Sequence, residues 1–154
     1  MLKKLLGALW RGAPKSLRRW SVRLVEPRFT VTAGAVVLDA GGRVLLLEHV
    51  FRMGSGWGIP GGFLKRGEQP EDAVRRELRE EVGLEVDEVV LAFVRTLKKT
   101  GQVEIIFRCR ARRAETESHS LEIRRTQWFA LSELPESLAR DQRRIIDRAL
   151  SQRT

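Results

Sequence analysis

The spacing of apolar residues changes along this chain, and each change marks a different predicted element. In residues 1–28, Leu2, Leu5, Leu6, Leu9 and Trp10 fall at i, i+3, i+4, i+7 and i+8, which is one face of a helix. Pro14 interrupts the stripe and suits the first turn of a second short helix carrying Leu17, Trp20 and Leu24. From Phe29 the texture turns to strand. Phe29–Leu38 (FTVTAGAVVL) is β-rich, Asp39-Ala40-Gly41-Gly42 is a turn, and Arg43–Val50 returns as the second arm of a predicted hairpin. Gly54–Gly62 reads as a glycine-rich loop. Gln69–Val82 is the clearest helix, with Pro70, Glu71 and Asp72 at its start and Gly83 as its stop. Val86–Leu97 and Val103–Arg112 are predicted strands around a turn at Gly101, and Ala114–Leu121 is a polar loop. Thr126–Ala130 is a short strand, and Ser137–Leu150 is a closing helix with Ile145, Ile146 and Leu150 on one side.

Charge changes this picture mainly at the N-terminus. The chain of 154 residues carries a net charge of +9, and residues 1–28 hold eight bases against the single acid Glu26. The basic character therefore belongs to an N-terminal arm (1–28) and says little about the chemistry of the domain that follows (29–154). The arm is expected to pack on the domain or on a second copy in a homodimer. Contact with a membrane surface or a nucleic acid is the alternative its Trp, Leu and Lys/Arg faces leave open. Its apolar stretch is too short for the core of an export signal. One cysteine, Cys109, excludes a disulfide framework, and its place among Val103, Ile105 and Phe107 makes it plain core. A reducing, cytoplasmic setting is the expected one.

The chemistry concentrates on the central helix. Glu77, Glu80 and Glu81 are spaced i, i+3 and i+4, which puts three carboxylates on one side with neighbouring Cβ atoms about 5–6 Å apart. Such charges repel unless a cation sits among them, and hard divalent ions take oxygen ligands of this kind. Taken alone, the interleaved Arg75, Arg76 and Arg79 favour a solvated, salt-bridged face instead.

The helix does not stand alone. Gly62, five residues, Glu68, seven residues, then Arg76-Glu77-Leu78-Arg79-Glu80-Glu81-Val82-Gly83-Leu84 spells G-x5-E-x7-R-E-U-x-E-E-x-G-U, where U is aliphatic. This resembles the signature of the Nudix hydrolases at every fixed position, and Trp57-Gly58-Ile59-Pro60-Gly61-Gly62 is similar to the family's entry to that box. The resemblance covers about Phe29–Leu150. It implies an α/β/α sandwich on a mixed β-sheet, preceded here by the short helical arm. It also implies a metal-dependent pyrophosphohydrolase that cleaves a nucleoside diphosphate linked to a second moiety, with Mg²⁺ or Mn²⁺ as cofactor. Glu77, Glu80, Glu81 and the Gly61 carbonyl would hold the metal. Arg76 would orient the acids, Glu68 would join their network, and Gly62 and Gly83 would be structural members of the box. The catalytic base would be Glu80, or Glu122 on the later loop, with Glu117 a weaker candidate and an ordinary loop acid the competing reading of both. A nucleotide-sensing module that binds without cleaving is the alternative function, against which the complete glutamate set counts.

The substrate leaves less trace. The chain has no tyrosine, so the downstream Tyr of dinucleoside-polyphosphate hydrolases is missing. Lys99 stands where many ADP-ribose pyrophosphatases have proline, and the upstream motif of coenzyme A pyrophosphatases is lacking. Gly61-Gly62-Phe63-Leu64 departs from the Gly-Gly-Lys of 8-oxo-dGTP hydrolases. A nucleotide sugar or an ADP-ribose-like diphosphate is the small-molecule substrate expected. Phe51, Trp57 and Phe63 are candidate platforms for a base, with core packing as the competing reading. Arg52, Lys65 and Arg66 are candidate phosphate contacts, with a solubilising surface role as theirs.

Overall fold

The protein is described from a computed structural model, which covers residues 10–12, 14–17, 27–51, 54–116 and 120–151. The strands are β1 (Thr30–Leu38), β2 (Val44–His49), β3 (Trp57–Gly58), β4 (Gly61–Phe63), β5 (Val86–Leu97), β6 (Gln102–Ala111) and β7 (Ile123–Phe129). Helix α1 spans Pro70–Val82 and α2 spans Arg140–Ser151, and a 3₁₀ turn at Leu131–Glu133 precedes α2. In the sheet the order is β3-β2-β1-β6-β5, with β4 also on β1 and β7 also on β2. Only β1 and β6 run parallel, from Thr30↔Gln102 to Leu38↔Arg110, so the sheet is mixed.

The near-continuous apolar runs of β1 and β2 mean that both faces of these strands are covered. On one face Ala33, Ala35, Val37, Leu45 and Leu47 pack against Ala73, Val74, Leu78 and Val82 of α1. On the other, Val36, Val44 and Leu46 pack with Ile145, Ile146 and Ala149 of α2. One helix on each side of a mixed sheet is the α/β/α sandwich expected. Cys109 is 2% exposed among the α1-side core residues, and burial pushes its thiol up to about 12, so it is packing rather than chemistry.

Several boundaries differ from the sequence reading. The hairpin closes at Leu38↔Val44 alone, because β1 then leaves β2 to pair with β4 from Thr32 to Gly34. The glycine-rich loop holds two short strands, β3 and β4, whose backbone groups find partners on β2 and β1. Strand β7 starts at Ile123, three residues early, because Arg124 and Arg125 are drawn to Glu48 of β2. Helix α2 starts at Arg140, since Leu138 N–H instead donates to the Pro135 carbonyl in a turn. Of the arm, residues 10–12 and 15–17 are helical, with Trp10 and Leu17 exposed. Leu2, Leu5, Leu6, Leu9, Trp20 and Leu24 lie outside the described residues. No helix among the described residues is long and apolar enough to cross a membrane.

Candidate active site

Helix α1 is positioned by both of its ends. Pro70 sits in its first turn, where the missing N–H costs nothing. Gly83 adopts the left-handed conformation (φ 63°) that lets its N–H reach the Arg79 carbonyl and the Leu84 N–H reach that of Leu78. Ala73, Val74, Leu78 and Val82 are buried against the sheet, and Arg76, Glu77, Glu80 and Glu81 lie along one flank of that buried face, beside β4.

Arg76 is the hub of this face. Its side chain is only 16% exposed, and its guanidinium meets Glu68 in a two-pronged pair at 2.7 and 3.0 Å. A further nitrogen donates to Glu77 at 2.8 Å and Glu80 at 3.1 Å, and the Phe63 carbonyl accepts at 3.2 Å. Lys65 approaches Glu80 from outside at 3.6 Å, and its backbone N–H donates to Glu68 at 2.8 Å. Every hydrogen bond that Arg76 makes here goes to one of these carboxylates or to the Phe63 carbonyl.

The hydrogen bonds from Arg76, seconded by the Lys65 N–H, hold the Glu68 carboxyl at about 2, below its ordinary 4.5. A folded-state value below the unfolded one means that the resulting stabilisation is complete above about pH 4.5. It is then lost as pH falls toward 2. Urea midpoints of the wild type and Glu68→Gln should therefore differ most at neutral pH and converge on acidification to pH 2.5. A gap independent of pH would contradict the assignment.

The glycine pair of β4 is tied to this cluster by contact. A Cβ on Gly62 would lie 2.1 Å from Glu77 Oε1, so the absent side chain is the space the carboxylate occupies. A Cβ on Gly61 (φ 152°) would meet the Ala33 carbonyl oxygen at 2.4 Å, so this backbone lies flat on β1. The donor set suits a hard divalent ion: Glu68, Glu77, Glu80 and Glu81 stand against Arg76 and Lys65, a formal excess of two negative charges. Among the described residues, no three carboxylate, His or Cys groups already stand in ligating geometry. Arg76 draws Glu68, Glu77 and Glu80 to itself, and Glu80 remains 55% exposed.

Other predicted residues fall in different places. Trp57 is no platform: it is 9% exposed in the α2-side core, edge-on to Phe129 at 5.3 Å, because β3 pairs it inward against β2. Phe51 and Phe63 reverse the core reading, at 80% and 62% exposed, and Phe63 stands at the lip of a cleft. Glu122 is exposed at the head of β7, where its carbonyl accepts the Val50 N–H at 2.8 Å. Among the described residues its carboxylate makes no ion pair with the α1 cluster. Arg66 is exposed, whereas Arg52 and Glu117 lie outside the described residues.

The sequence reading missed the cleft itself. It measures about 220 Å³ and opens on the other side of Gly61 and Gly62, between the sheet and α2. Ile59, Ile106 and Ile145 make apolar walls, and Thr32, Gln102, Glu104 and Gln142 bring polar groups. Behind it Arg95 of β5 bonds Glu104 at 2.5 Å and spans Asp141 of α2 at 2.6 and 2.7 Å, fixing α2 to the sheet. The available signal was a carboxylate near the start of β6, set between Val103 and Ile105.

Fold and carboxylate cluster together place the chain among α/β/α hydrolases built on an acidic helix. More narrowly, it belongs to the NUDIX family: the NUDIX domain model matches residues 28–149. A MutT-like protein of Streptomyces ambofaciens is 34% identical over 116 residues, covering 73% of this chain and 71% of that protein. An RNA pyrophosphohydrolase of Pseudomonas putida is 34% identical over 111 residues, where the match spans 70% of this chain and 64% of the relative's length. Among solved structures, a MutT NUDIX hydrolase from Burkholderia pseudomallei superposes with a TM-score of 0.69 at 28% identity, over 79% of this chain and 98% of that one. The NUDIX domain of Shewanella oneidensis NrtR, solved with ADP ribose, shares the fold at TM-score 0.75 and 18% identity, over 90% and 97% of the two chains.

Proposed function

We propose that this protein hydrolyses a nucleoside diphosphate linked to a second group, releasing a nucleoside monophosphate and the phosphorylated second group. One observation carries this reading. The Gly61–Gly62 backbone borders a cleft on one side and has the Glu77 carboxylate packed against it on the other. An extended substrate laid across it would have its nucleoside in the cleft and its diphosphate at the acidic helix. A volume of about 220 Å³ suits one end of such a molecule, being below the ~300–1,000 Å³ of sites that enclose a drug-sized ligand.

Glu77, Glu80, Glu81 and the Gly61 carbonyl would hold Mg²⁺ or Mn²⁺, which supplies charge neutralisation at the diphosphate and a more acidic water. The rest falls to the chain. Arg76 holds Glu77 and Glu80 together beside β4. Glu80, the most exposed of the acids that Arg76 holds, takes the proton of the attacking water, and Glu122 is the alternative base. Lys65, 63% exposed beside Glu80, and Arg52 bind phosphate oxygens, and Phe63 offers its ring at the lip.

The test is phosphate release from nucleotide sugars, ADP-ribose, dinucleotides and nucleoside triphosphates with Mg²⁺ or Mn²⁺, with and without added phosphatase. Phosphate is expected only when phosphatase is present, because the products are phosphomonoesters, and chelation should abolish it. Nucleotide binding without turnover across the panel would favour a sensing module instead.

A further inference from the structure

The polar end of the cleft has an uneven hydrogen-bonding inventory, and from it we infer that the protein selects guanine as the base of its substrate, with Glu104 as the residue that reads it. The inference rests on the nucleotide reading above. Glu104 lines the cleft and is one-fifth exposed. Its carboxylate, ion-paired to Arg95, offers acceptors only. Arg95 is committed to its two carboxylates: its Nε–H serves Glu104, and one N–H of each terminal nitrogen serves Asp141.

The neighbouring side chains are likewise fixed. Gln142 Oε1 accepts the Ile59 N–H at 2.9 Å, so its amide NH₂ is the group left for the cleft. Gln102 turns its NH₂ to Thr32 Oγ1 at 2.9 Å and to Glu104 at 3.4 Å, which leaves its oxygen as a second acceptor. The cleft thus pairs a carboxylate acceptor with an amide donor.

Base chemistry decides what matches. Guanine alone among the common bases carries two adjacent donors, the ring N1–H and the exocyclic amino group, next to an oxygen acceptor. A carboxylate meets both donors and an amide NH₂ meets the oxygen. Adenine, cytosine and uracil each present a ring or carbonyl lone pair where guanine has one of these donors. Against a carboxylate that lone pair is repelled and leaves a half-buried acceptor unmet, the kind of mismatch that separates substrates most strongly. Phe63 at the lip adds a stacking surface indifferent to the base.

Calorimetric binding of GMP, IMP, AMP and UMP to the full chain tests this without turnover. GMP is expected to bind at least about tenfold more tightly than AMP or UMP. IMP, which lacks the exocyclic amino group, should fall between. Glu104→Gln exchanges one acceptor for a donor and should reduce the GMP-over-AMP ratio at least about tenfold. Asp141→Asn, which loosens Arg95 but spares the carboxylate in the cleft, should keep the ratio. Equal binding of the bases by the wild type would overturn the inference alone, and so would a Glu104→Gln protein that keeps the preference. If none of the four bound, the nucleotide reading would fall with it. Should Glu104→Gln not fold, the wild-type ranking by itself still decides.

Discussion

Glu80→Gln and Glu81→Gln are each expected to lower kcat by about 10²–10⁴-fold while leaving the fold intact. Glutamine keeps the volume and removes the charge, so what is tested is the charge and not the packing. Glu80 is 55% exposed and its partners are Arg76 at 3.1 Å and Lys65 at 3.6 Å, both of which retain water or other carboxylates when the charge goes. Its substitution should therefore shift stability by no more than about 0.5 kcal/mol. Glu81, one helical residue further on, is half-buried and its Oε2 atom is withdrawn from solvent, so its neutralisation should be felt more in metal affinity than in unfolding. Mn²⁺ binding and steady-state rates measured on the same preparations would separate the two. Unchanged rates in both variants would remove the acidic helix from the chemistry. A parallel Glu122→Gln variant separates the two candidate bases, since a loss there as large as at Glu80 would move the proton transfer to the β7 loop.

The second large effect is expected at Arg76. Arg76→Met keeps an unbranched apolar stem and removes the guanidinium, leaving Glu68 and Glu77, 13% and 16% exposed, beside each other without their shared cation. Removing one member of a buried ion pair is costly because the remaining charge stays desolvated, and here about 3 kcal/mol of stability should be lost. Activity should fall with it, since Glu77 and Glu80 lose the donor that holds them at 2.8 and 3.1 Å. Arg76→Lys is the informative companion. A single ammonium cannot reproduce the two-pronged contact to Glu68 together with the bonds to Glu77 and the Phe63 carbonyl, so charge is restored but geometry is not. Partial recovery of stability with little recovery of rate is the expected pattern in urea unfolding and steady-state assays. Wild-type behaviour of Arg76→Met in both would show that the acids need no orienter.

Much of the chemistry was legible in the chain because it is local. Glu77, Glu80 and Glu81 share a side by helical periodicity alone, Gly83 ends the helix because the left-handed region suits glycine, and Arg76 lies one turn from Glu80. The strand texture of Phe29–Leu38 and Arg43–Val50 was legible too, and the two cores show that both faces of these strands are covered. What periodicity could not supply was the fate of single aromatic residues. Trp57 and Phe63 stand six positions apart in the same glycine-rich segment, yet one is core and the other exposed. Pairing of Trp57 against Glu48 and of Phe63 against Thr32 sets that difference, and pairing is a property of the assembled sheet.

The cleft is the larger case. Its lining comes from β1, the β3–β4 link, β6 and α2, with 70 residues between Thr32 and Gln102 and 83 between Ile59 and Gln142. No spacing rule links positions so far apart. The sequence by itself determined the acidic helix and the glycine pair, because short-range periodicity and backbone sterics act within a few residues, while the sandwich was implied only by the resemblance of that motif to a known family. The tertiary structure alone decided which groups meet across the sheet: that Glu77 fills the space of a missing Cβ at Gly62, and that Arg95 binds Glu104 and Asp141 at the back of a cleft. Those contacts depend on the parallel register of β1 with β6 and on where α2 settles, and both are fixed only when the two cores pack.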